Sequence, residues 1–533
     1  MPISRRDFVR TGIAAAAITA LPRPLLASIG RRPDAAPPIE DPRLASLIAR
    51  ALDSARSAGA SYVDARLTYD RDREVFTGLM VNDTEAMNAG VRALVNGYWG
   101  FACGPVWSPE EMVRLGREAT AQAKTNALGK ARVVELAPVP IVRNGSWETP
   151  MKVDPFSVPL NDISDFLESL SVFAYRTPGI DVKSNLCTFT SQAKAFGSSD
   201  GSYFTQRTFI TSGSFAFALD LGHGKGGVGA LDCLGPAGIG WELYRDQPLR
   251  DEIRKTMESI REDALLPVKP VDVGRYDTVF DAASMASILN ATLGSATQLD
   301  RALGYEANAA GTSYLNEPFD MFGSYQAGSP LLNVTANRSE TGGLATVKWD
   351  DEAVVPEDFA LVKDGTLVDF QTTRESAGWL KANYAKIGKP MRSHGCAAAP
   401  SALYAPMQHV PNLSLASARD AVDFDGLVTN VGSGIAVRGF NPLMDFQCLN
   451  GMGMGRTYDI KHGKRVAILG SAAILFRAPE LWKGIVALGG AKSVRSIGAV
   501  AVKGEPNQKT MHSVSAPPAL FKQLTYIDPM RKA

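Results

Sequence analysis

The chain has 533 residues, 45% hydrophobic and 21% charged, with a formal net charge of +1. This composition excludes disordered and collagen-like classes, and the length suits roughly two to four domains. The near-neutral charge gives no electrostatic case for a nucleic-acid partner, and no apolar run reaches the ~18 residues that a membrane span needs.

At the N-terminus, Ser4-Arg-Arg-Asp-Phe-Val-Arg10 precedes an apolar run from Thr11 to Leu21 and then Leu25-Leu-Ala27. A charged segment, a short hydrophobic segment and a cleavage site are the parts of a secretory signal. Arg5, Arg6 and Phe8 make residues 1–27 a twin-arginine signal, so export to the periplasm or another extracytoplasmic space is expected. Position −3 before the expected cut is Leu25 rather than Ala, which leaves the cleavage site open. Residues 28–43, rich in Pro and Ala, read as a linker. The five cysteines, at 103, 187, 233, 396 and 448, form no CxxC and no disulfide framework. They are expected to be mostly buried thiols, with one bridge left open.

A first α/β domain is expected over 44–140. Leu44, Leu47, Ile48, Ala51, Leu52 and Ala55 recur at helical spacing from Leu44 to Ala58. Tyr62 to Tyr69 alternates like a half-buried strand. Asn96-Gly97 stands between two apolar runs, and a type I′ hairpin needs residues that accept positive φ at both positions. Ser108-Pro-Glu-Glu111 supplies an N-cap, a Pro at the first helical position and a capping-box Glu. A middle α/β domain is expected over 150–267, with a helix from about Asn161, strands at 181–196 and 202–221, and a helix from Trp241 to about Leu265. The C-terminal domain, 271–533, is rich in glycine, β-branched residues and short strands. The fold class is therefore α+β with several domains.

Three short motifs carry less than they suggest. Gly197-Ser-Ser-Asp-Gly201 has the spacing of a nucleophile elbow, but a strand follows it where a helix is required, so it reads as a hairpin turn. Gly222-His-Gly-Lys-Gly-Gly227 fits GxGxxG without a helix after it, and reads as a flexible loop. His394-Gly-Cys396 with His409 offers metal-binding side chains at a spacing that fits no standard site.

The segment Ser287 to Gln298, SILNATLGSATQ, is a helix of a different kind. At about 100° per residue, Met285, Ile288, Leu289, Leu293, Ala296, Leu299 and Leu303 form a core-facing stripe. The opposite face carries Asn290, Ala291, Gly294, Ser295 and Gln298, which are small or uncharged and allow a ligand or another segment to come close.

Three stretches together resemble the TldD/PmbA family of modulator-of-gyrase proteins, which are metalloproteases. They are GVRALVNGYWGFAC (90–103), ILNATLGSATQLDRALGYEANAAGTSYL (288–315) and WDDEAVVPEDFALVKDGTLVDFQTTRESA (349–377). The second falls where the family carries its HExxxH helix, and the likeness runs from about residue 60 to the C-terminus. The resemblance implies a TldD/PmbA-like architecture and zinc held by two His and a distant Cys, with the Glu as general base on the bound water. In this chain Asn290 and Ser295 stand for the two His and Ala291 for the Glu, while the motif Gly is kept as Gly294. The stretch matching the Cys-bearing turn, Gly504-Glu-Pro-Asn-Gln508, has no Cys. No catalytic residue and no cofactor are therefore expected, although zinc serves the catalytic members.

The resemblance further implies a dimer. The family includes paired subunits of which one lacks HExxxH, the two enclosing a peptide-binding interior. The leading expectation is an exported, non-catalytic subunit that pairs with a catalytic TldD-like paralogue and helps bind peptide, with Asn290, Ala291, Gly294, Ser295 and Gln298 as a peptide-facing wall. Two alternatives remain: an active hydrolase with a relocated site around His394, Cys396 and His409, or a periplasmic binding or scaffold homodimer.

Overall fold

The computed structural model describes residues 41–78, 80–128 and 133–530. The export signal and most of the linker expected at 28–43 lie outside them.

The N-terminal half is organised by one sheet. Strands β1 (Tyr62–Phe76), β2 (Met80–Val95), β3 (Tyr98–Gly104), β4 (Gly145–Glu148), β5 (Ile180–Ser198), β6 (Tyr203–Gly222) and β7 (Lys225–Ala230) form it in the order β3-β2-β1-β5-β6-β4, with β7 on β6. Pairing of β1 with β5, from Asp64↔Ser198 to Phe76↔Leu186, carries the sheet across both N-terminal units. Asn96 (φ 53°) and Gly97 (φ 82°) make the expected tight turn between β2 and β3. The helix Pro42–Ser57 buries Leu44, Ile48, Ala51 and Ala55, the stripe read from spacing. Helices Leu160–Ala174 and Leu249–Leu265 cover β5 and β6 through Ile163, Leu167, Ile253 and Met257 against Phe189, Phe215 and Phe217.

Three local expectations are corrected. Ser108 caps the helix Pro109–Asn126 by accepting from Glu111 N–H at 3.2 Å, but the Glu111 carboxylate turns to Arg114 instead of closing the capping box. The helix expected from Trp241 to Leu265 is split into a single turn at Glu242–Arg245 and a helix from Leu249. Pro248 explains the break, because it lacks an N–H and drives the preceding residue out of the helical region. The Gly222–Gly227 stretch is an ordered hairpin turn between β6 and β7, with Gly222, His223 and Gly224 at positive φ.

The C-terminal domain has two main sheets. The larger contains β8 (Val268–Pro270), β9 (Gly274–Phe280), and, later in the chain, β16 (Gly434–Met444), β17 (Asn450–Lys461), β18 (Lys464–Gly470), β19 (Ala473–Arg477), β20 (Ile485–Leu488) and β23 (Ala519–Ile527). Because β16 pairs with both β9 and β17, the run β16-β9-β23-β19-β17 closes on itself as a barrel. The second sheet holds β10 (Val334–Asn337), β11 (Phe359–Lys363), β12 (Thr366–Leu367), β15 (Asn412–Leu415), β21 (Arg495–Lys503) and β22 (Gln508–Ala516), ordered β12-β11-β10-β15-β22-β21. The short β13 (Ala397–Ala398) and β14 (Met407–Gln408) pair apart. One core fills the space between barrel and sheet. Met285, Ile288, Leu289, Leu293 and Leu299 meet Phe280, Trp482 and Phe521 from the barrel side and Val334, Leu413 and Val514 from the sheet side.

The two halves meet across buried charge. Asp351 accepts from Lys194 and lies 3.7 Å from Arg66, while Arg92 bridges Asp64 (2.7 Å) and Glu352 (3.1 Å). Glu352 also accepts the Arg374 backbone N–H at 2.7 Å, and the Arg374 side chain reaches Ala137 O and Asp200. A buried charge is tolerated only when paired in this way.

Candidate functional site

The segment from Ala282 begins as an α-helix, Ala282–Leu289, capped by the Asp281 carboxylate accepting from Ser284 N–H at 2.9 Å. Its apolar stripe is sealed in the core as the spacing predicts, with Leu303 half-buried beside it. A π-turn follows at Asn290–Gly294. Two threonine hydroxyls bond back along this stretch, Thr292 to Ile288 O and Thr297 to Leu293 O, each at 2.6 Å. Such back-bonding loosens the regular ladder. Gly294 lets the turn press on the sheet, since a Cβ there would stand 2.7 Å from Leu413 Cδ1. A π-turn brings residues five apart into line, and Ser295 Oγ accordingly lies 3.4 Å from Asn290 O. The helix does not continue to Leu303 as the stripe suggested. It stops at Gln298, where ψ is 118°, and resumes at Leu299–Ala302.

The expected small-residue wall divides in two. Asn290, Ala291 and Ser295 are half-buried and follow the helix Ala282–Leu289, which packs along a seam on β21 and β22. Gly294 and Gln298 are buried, Gln298 donating to Ser295 O at 3.2 Å.

Strand β22 supplies the floor of the seam. His512 Nε2 meets Asn290 Oδ1 at 2.7 Å. Ala499 and Ala501 of β21 pair with His512 and Thr510, so all four share the helix-facing side. Burial pushes the His512 pKa down to about 3, leaving a neutral imidazole. His409 bonds Thr510 Oγ1 at 2.9 Å, and burial with the nearby Lys503 ammonium pushes its pKa to about 3 as well. Buried Lys503 pairs with Asp300 at 2.6 Å, and Gly504 N–H donates to Glu306 at 3.0 Å. The Gly504–Gln508 stretch is thus the β21–β22 turn, tied to the loop that follows the site helix. Strand β21 is the outer strand of its sheet, and its other long edge has no partner among the described residues.

The residues of the relocated-site alternative do not form a reactive set. His394 Nε2 meets Asp369 at 3.1 Å, and Tyr384 Oη donates to the same carboxylate at 2.9 Å. His409 is committed to Thr510. Burial raises the Cys396 thiol to about 12, the opposite of an activated nucleophile. Among the described residues no hydrogen bond joins either ring to that thiol. All five cysteines are free, so the bridge left open by the sequence is not formed; Cys187, Cys396 and Cys448 are buried.

Zinc does not suit the side chains at the resembling positions. Tetrahedral zinc takes imidazole, thiolate or carboxylate donors, whereas Asn290 offers an amide, Ser295 a hydroxyl and Ala291 a methyl. Among the described residues no three His, Cys, Asp or Glu side chains are grouped to hold a metal ion. Of the residues that shape this site, sequence reasoning missed His512 and Gln371. A lone His in an alternating strand, 222 residues from its partner in the chain, leaves no local signal.

Residues 273–527 match the model of the PmbA/TldA metallopeptidase C-terminal domain. A metalloprotease of Methanocaldococcus jannaschii is 20% identical over 347 residues, covering 62% of this chain and 69% of that protein. The C-terminal domain belongs to the TldD/PmbA family. The chain's fold is shared with solved structures of low identity. A candidate modulator of a DNA gyrase from Thermotoga maritima superposes with a TM-score of 0.65 at 14% identity, over 91% of this chain and 100% of that one. TldE from Thermococcus kodakarensis gives 0.65 at 12%, over 91% and 99%. This is therefore a metallopeptidase-related TldD/PmbA protein with the family's α+β architecture. Among the described residues no helix is long and apolar enough to cross a membrane.

Proposed function

We propose that this chain is an exported, non-catalytic member of the TldD/PmbA family that pairs with an active metalloprotease of the same family and helps hold an extended peptide. The observation that carries the reading is the Asn290–His512 hydrogen bond in the site helix. It ties up the residue standing for the first zinc ligand with a neutral ring, while Ala291, standing for the base, has nothing to take a proton. At these positions no side chain suits a metal that would acidify a hydrolytic water, and none would accept its proton.

Peptide binding is supported by the open edge of β21, a strand that packs on the helix Ala282–Leu289 and pairs with the strand carrying His512. An extended segment adds to such an edge through main-chain hydrogen bonds. Pairing is supported by an apolar row on the barrel exterior. Leu443, Met452 and Leu475 are register neighbours on β16, β17 and β19, exposed by 67%, 42% and 39%. A contiguous row of that kind suits burial against a second subunit. Export is supported by the Arg5-Arg6 signal pattern.

The test is purification of the tagged full chain from its native source, followed by identification of its partner and metal analysis. The expected result is a periplasmic complex with a family member that carries HExxxH, and no zinc held by this chain. One tightly held zinc per separated chain would overturn the non-catalytic reading. A lone homodimer would favour the scaffold reading instead.

A further inference from the structure

We infer that the site segment of this chain is held by a metal-free lock. Side chains of His512, Trp482, Gln371 and Ser313 tie the π-turn and the residues after it to four other segments, and the turn keeps its shape whether or not zinc is present. This rests on the poor fit of Asn290, Ala291 and Ser295 to zinc, and not on the pairing or peptide readings.

A π-turn gives up the regular i→i−4 ladder, so Asn290–Gly294 depends on bonds from outside the helix. Each tie comes from a different part of the C-terminal domain. His512 Nε2, on β22, lies 2.7 Å from Asn290 Oδ1. Trp482, on the helix Ala478–Lys483, donates its indole N–H to Thr292 Oγ1 at 3.0 Å, and that hydroxyl donates onward to Ile288 O. The Gln371 amide donates to Gly294 O at 2.8 Å and to Thr297 Oγ1 at 2.9 Å. Ser313 Oγ donates to Ala296 O at 2.8 Å. His512, Trp482, Gln371 and Ser313 are all buried, as are Thr292 and Thr297. Loss of any one tie would strand a sealed polar group.

The His512 tie also works against a metal. Nδ1 of the ring is sealed and has no partner. A neutral imidazole carries a single N–H. On Nε2 that proton meets the Asn290 oxygen. On Nδ1 it would be a buried donor with nothing to bond, the costlier arrangement. Nε2 therefore holds the proton and turns no lone pair toward the helix. Zinc binds imidazole through a bare nitrogen. To coordinate here, His512 would have to move its proton to the sealed side and release Asn290.

A metal shared between a helix and remote segments cross-links them, and its removal costs the fold that support. Here hydrogen bonds make the cross-links. The segment has nothing to lose to a chelator and nothing to gain from zinc.

Hydrogen–deuterium exchange of the purified full chain tests the lock. Amides of 290–298 should exchange at one rate in the protein as purified, after EDTA and with zinc added. His512→Phe keeps a ring in place but removes the donor to Asn290. It should speed exchange over 290–298 at least about tenfold and leave the helix Pro42–Ser57 unchanged. Thr292→Val keeps the shape, removes the acceptor for Trp482 and should act in the same way; it serves if His512→Phe does not fold. Exchange that slows with zinc or speeds with EDTA overturns the lock and the non-catalytic reading together. Wild-type exchange in both variants overturns the lock alone, because apolar packing then holds the turn. Protection lost over the whole chain in both variants also overturns it, because the ties would then belong to the global fold.

Discussion

The Gln371 side-chain amide donates to Gly294 O at 2.8 Å and to Thr297 Oγ1 at 2.9 Å, while the Gln371 backbone N–H donates to Thr297 O at 3.0 Å. One fully buried residue thus takes up the groups that the π-turn leaves free at the end of the site helix. Three residues further on, the Arg374 backbone N–H is held by Glu352, so the same segment ties the helix to the charged boundary between the two halves. Gln371→Leu keeps the bulk and removes the donors. Leaving the buried Gly294 carbonyl and Thr297 hydroxyl short of a partner should cost about 1–3 kcal/mol. Urea unfolding of the variant checks this; an unchanged midpoint would mean that water or a shift of the helix replaces Gln371.

The Asp350-Asp351-Glu352 run gives folding a two-sided pH response. Asp350 is sealed, and burial together with the Glu352 carboxylate raises its pKa to about 7. Unfolded, it ionises near the ordinary 3.8. Between those values the unfolded chain has lost the proton and the folded chain keeps it, so this group's contribution to stability falls as pH rises from about 4 to 7 and is level above. Asp351 works the other way. Burial would raise its pKa, but Lys194 and Arg66 outweigh that and hold it below the usual range. Its contribution is present above about pH 4 and is lost as pH falls through the lowered value. Asp350→Asn should therefore flatten the decline between pH 4 and 7, and Asp351→Asn should flatten the acid-side loss. Unfolding free energies at several pH values separate the two, and identical slopes in Asp350→Asn and the wild type would refute the first.

Legibility followed the range of each interaction. The helix Pro42–Ser57, the Asn96-Gly97 turn and the apolar stripe from Met285 to Leu299 are fixed by residues within a few positions, and spacing alone revealed them. The capping box failed because Glu111 had a competing partner, Arg114, on the next turn. The break at Gln298 was hidden because the stripe that suggested continuity is kept by the resumed helix, with Leu299 still buried. The N-terminal sheet, built by pairing β1 with β5 more than a hundred residues apart, and the His512 floor under Asn290 depend on contacts with no local trace. Even so, the small face of the site helix was visible, and only Gly294 and Gln298 of that set turned out to be enclosed.

Gly100, in the GVRALVNGYWGFACG stretch, is explained by close approach. A Cβ there would lie 2.0 Å from Ala119 O and 2.4 Å from Ala123 N, so β3 rests directly on the backbone of the helix Pro109–Asn126. Gly90, in the same stretch, would meet Ala402 O at 2.0 Å, where β2 touches the C-terminal domain. Neither obstacle is a flexible side chain. Gly100→Ala should destabilise by about 1–3 kcal/mol, the usual cost of overpacking. Gly90→Ala should instead loosen the contact between halves, seen as faster proteolysis without loss of secondary structure. Wild-type protease resistance in Gly90→Ala would show that the boundary can shift to absorb a methyl group.

Peptide binding at the β21 edge predicts that the two faces of this strand respond differently. Ala499 is half-buried and faces the site helix together with His512, whereas Val500 is 45% exposed on the other side. Alternation along a strand puts successive side chains on opposite faces. Lysine at 499 would extend a long charged chain along the helix-facing side of β21 and obstruct a segment lying there. Its ammonium can reach water along the open edge, so the fold should survive. Lysine at 500 changes the edge charge equally but leaves the helix-facing side clear. The expected outcome, read by fluorescence anisotropy of a fluorescein-labelled, end-blocked Ala/Ser octapeptide, is loss of binding in Ala499→Lys, near wild-type affinity in Val500→Lys, and similar thermal midpoints for both. Equal weakening in the two variants would mean that edge charge rather than access decides binding. Equal wild-type affinity would place the peptide elsewhere on the molecule.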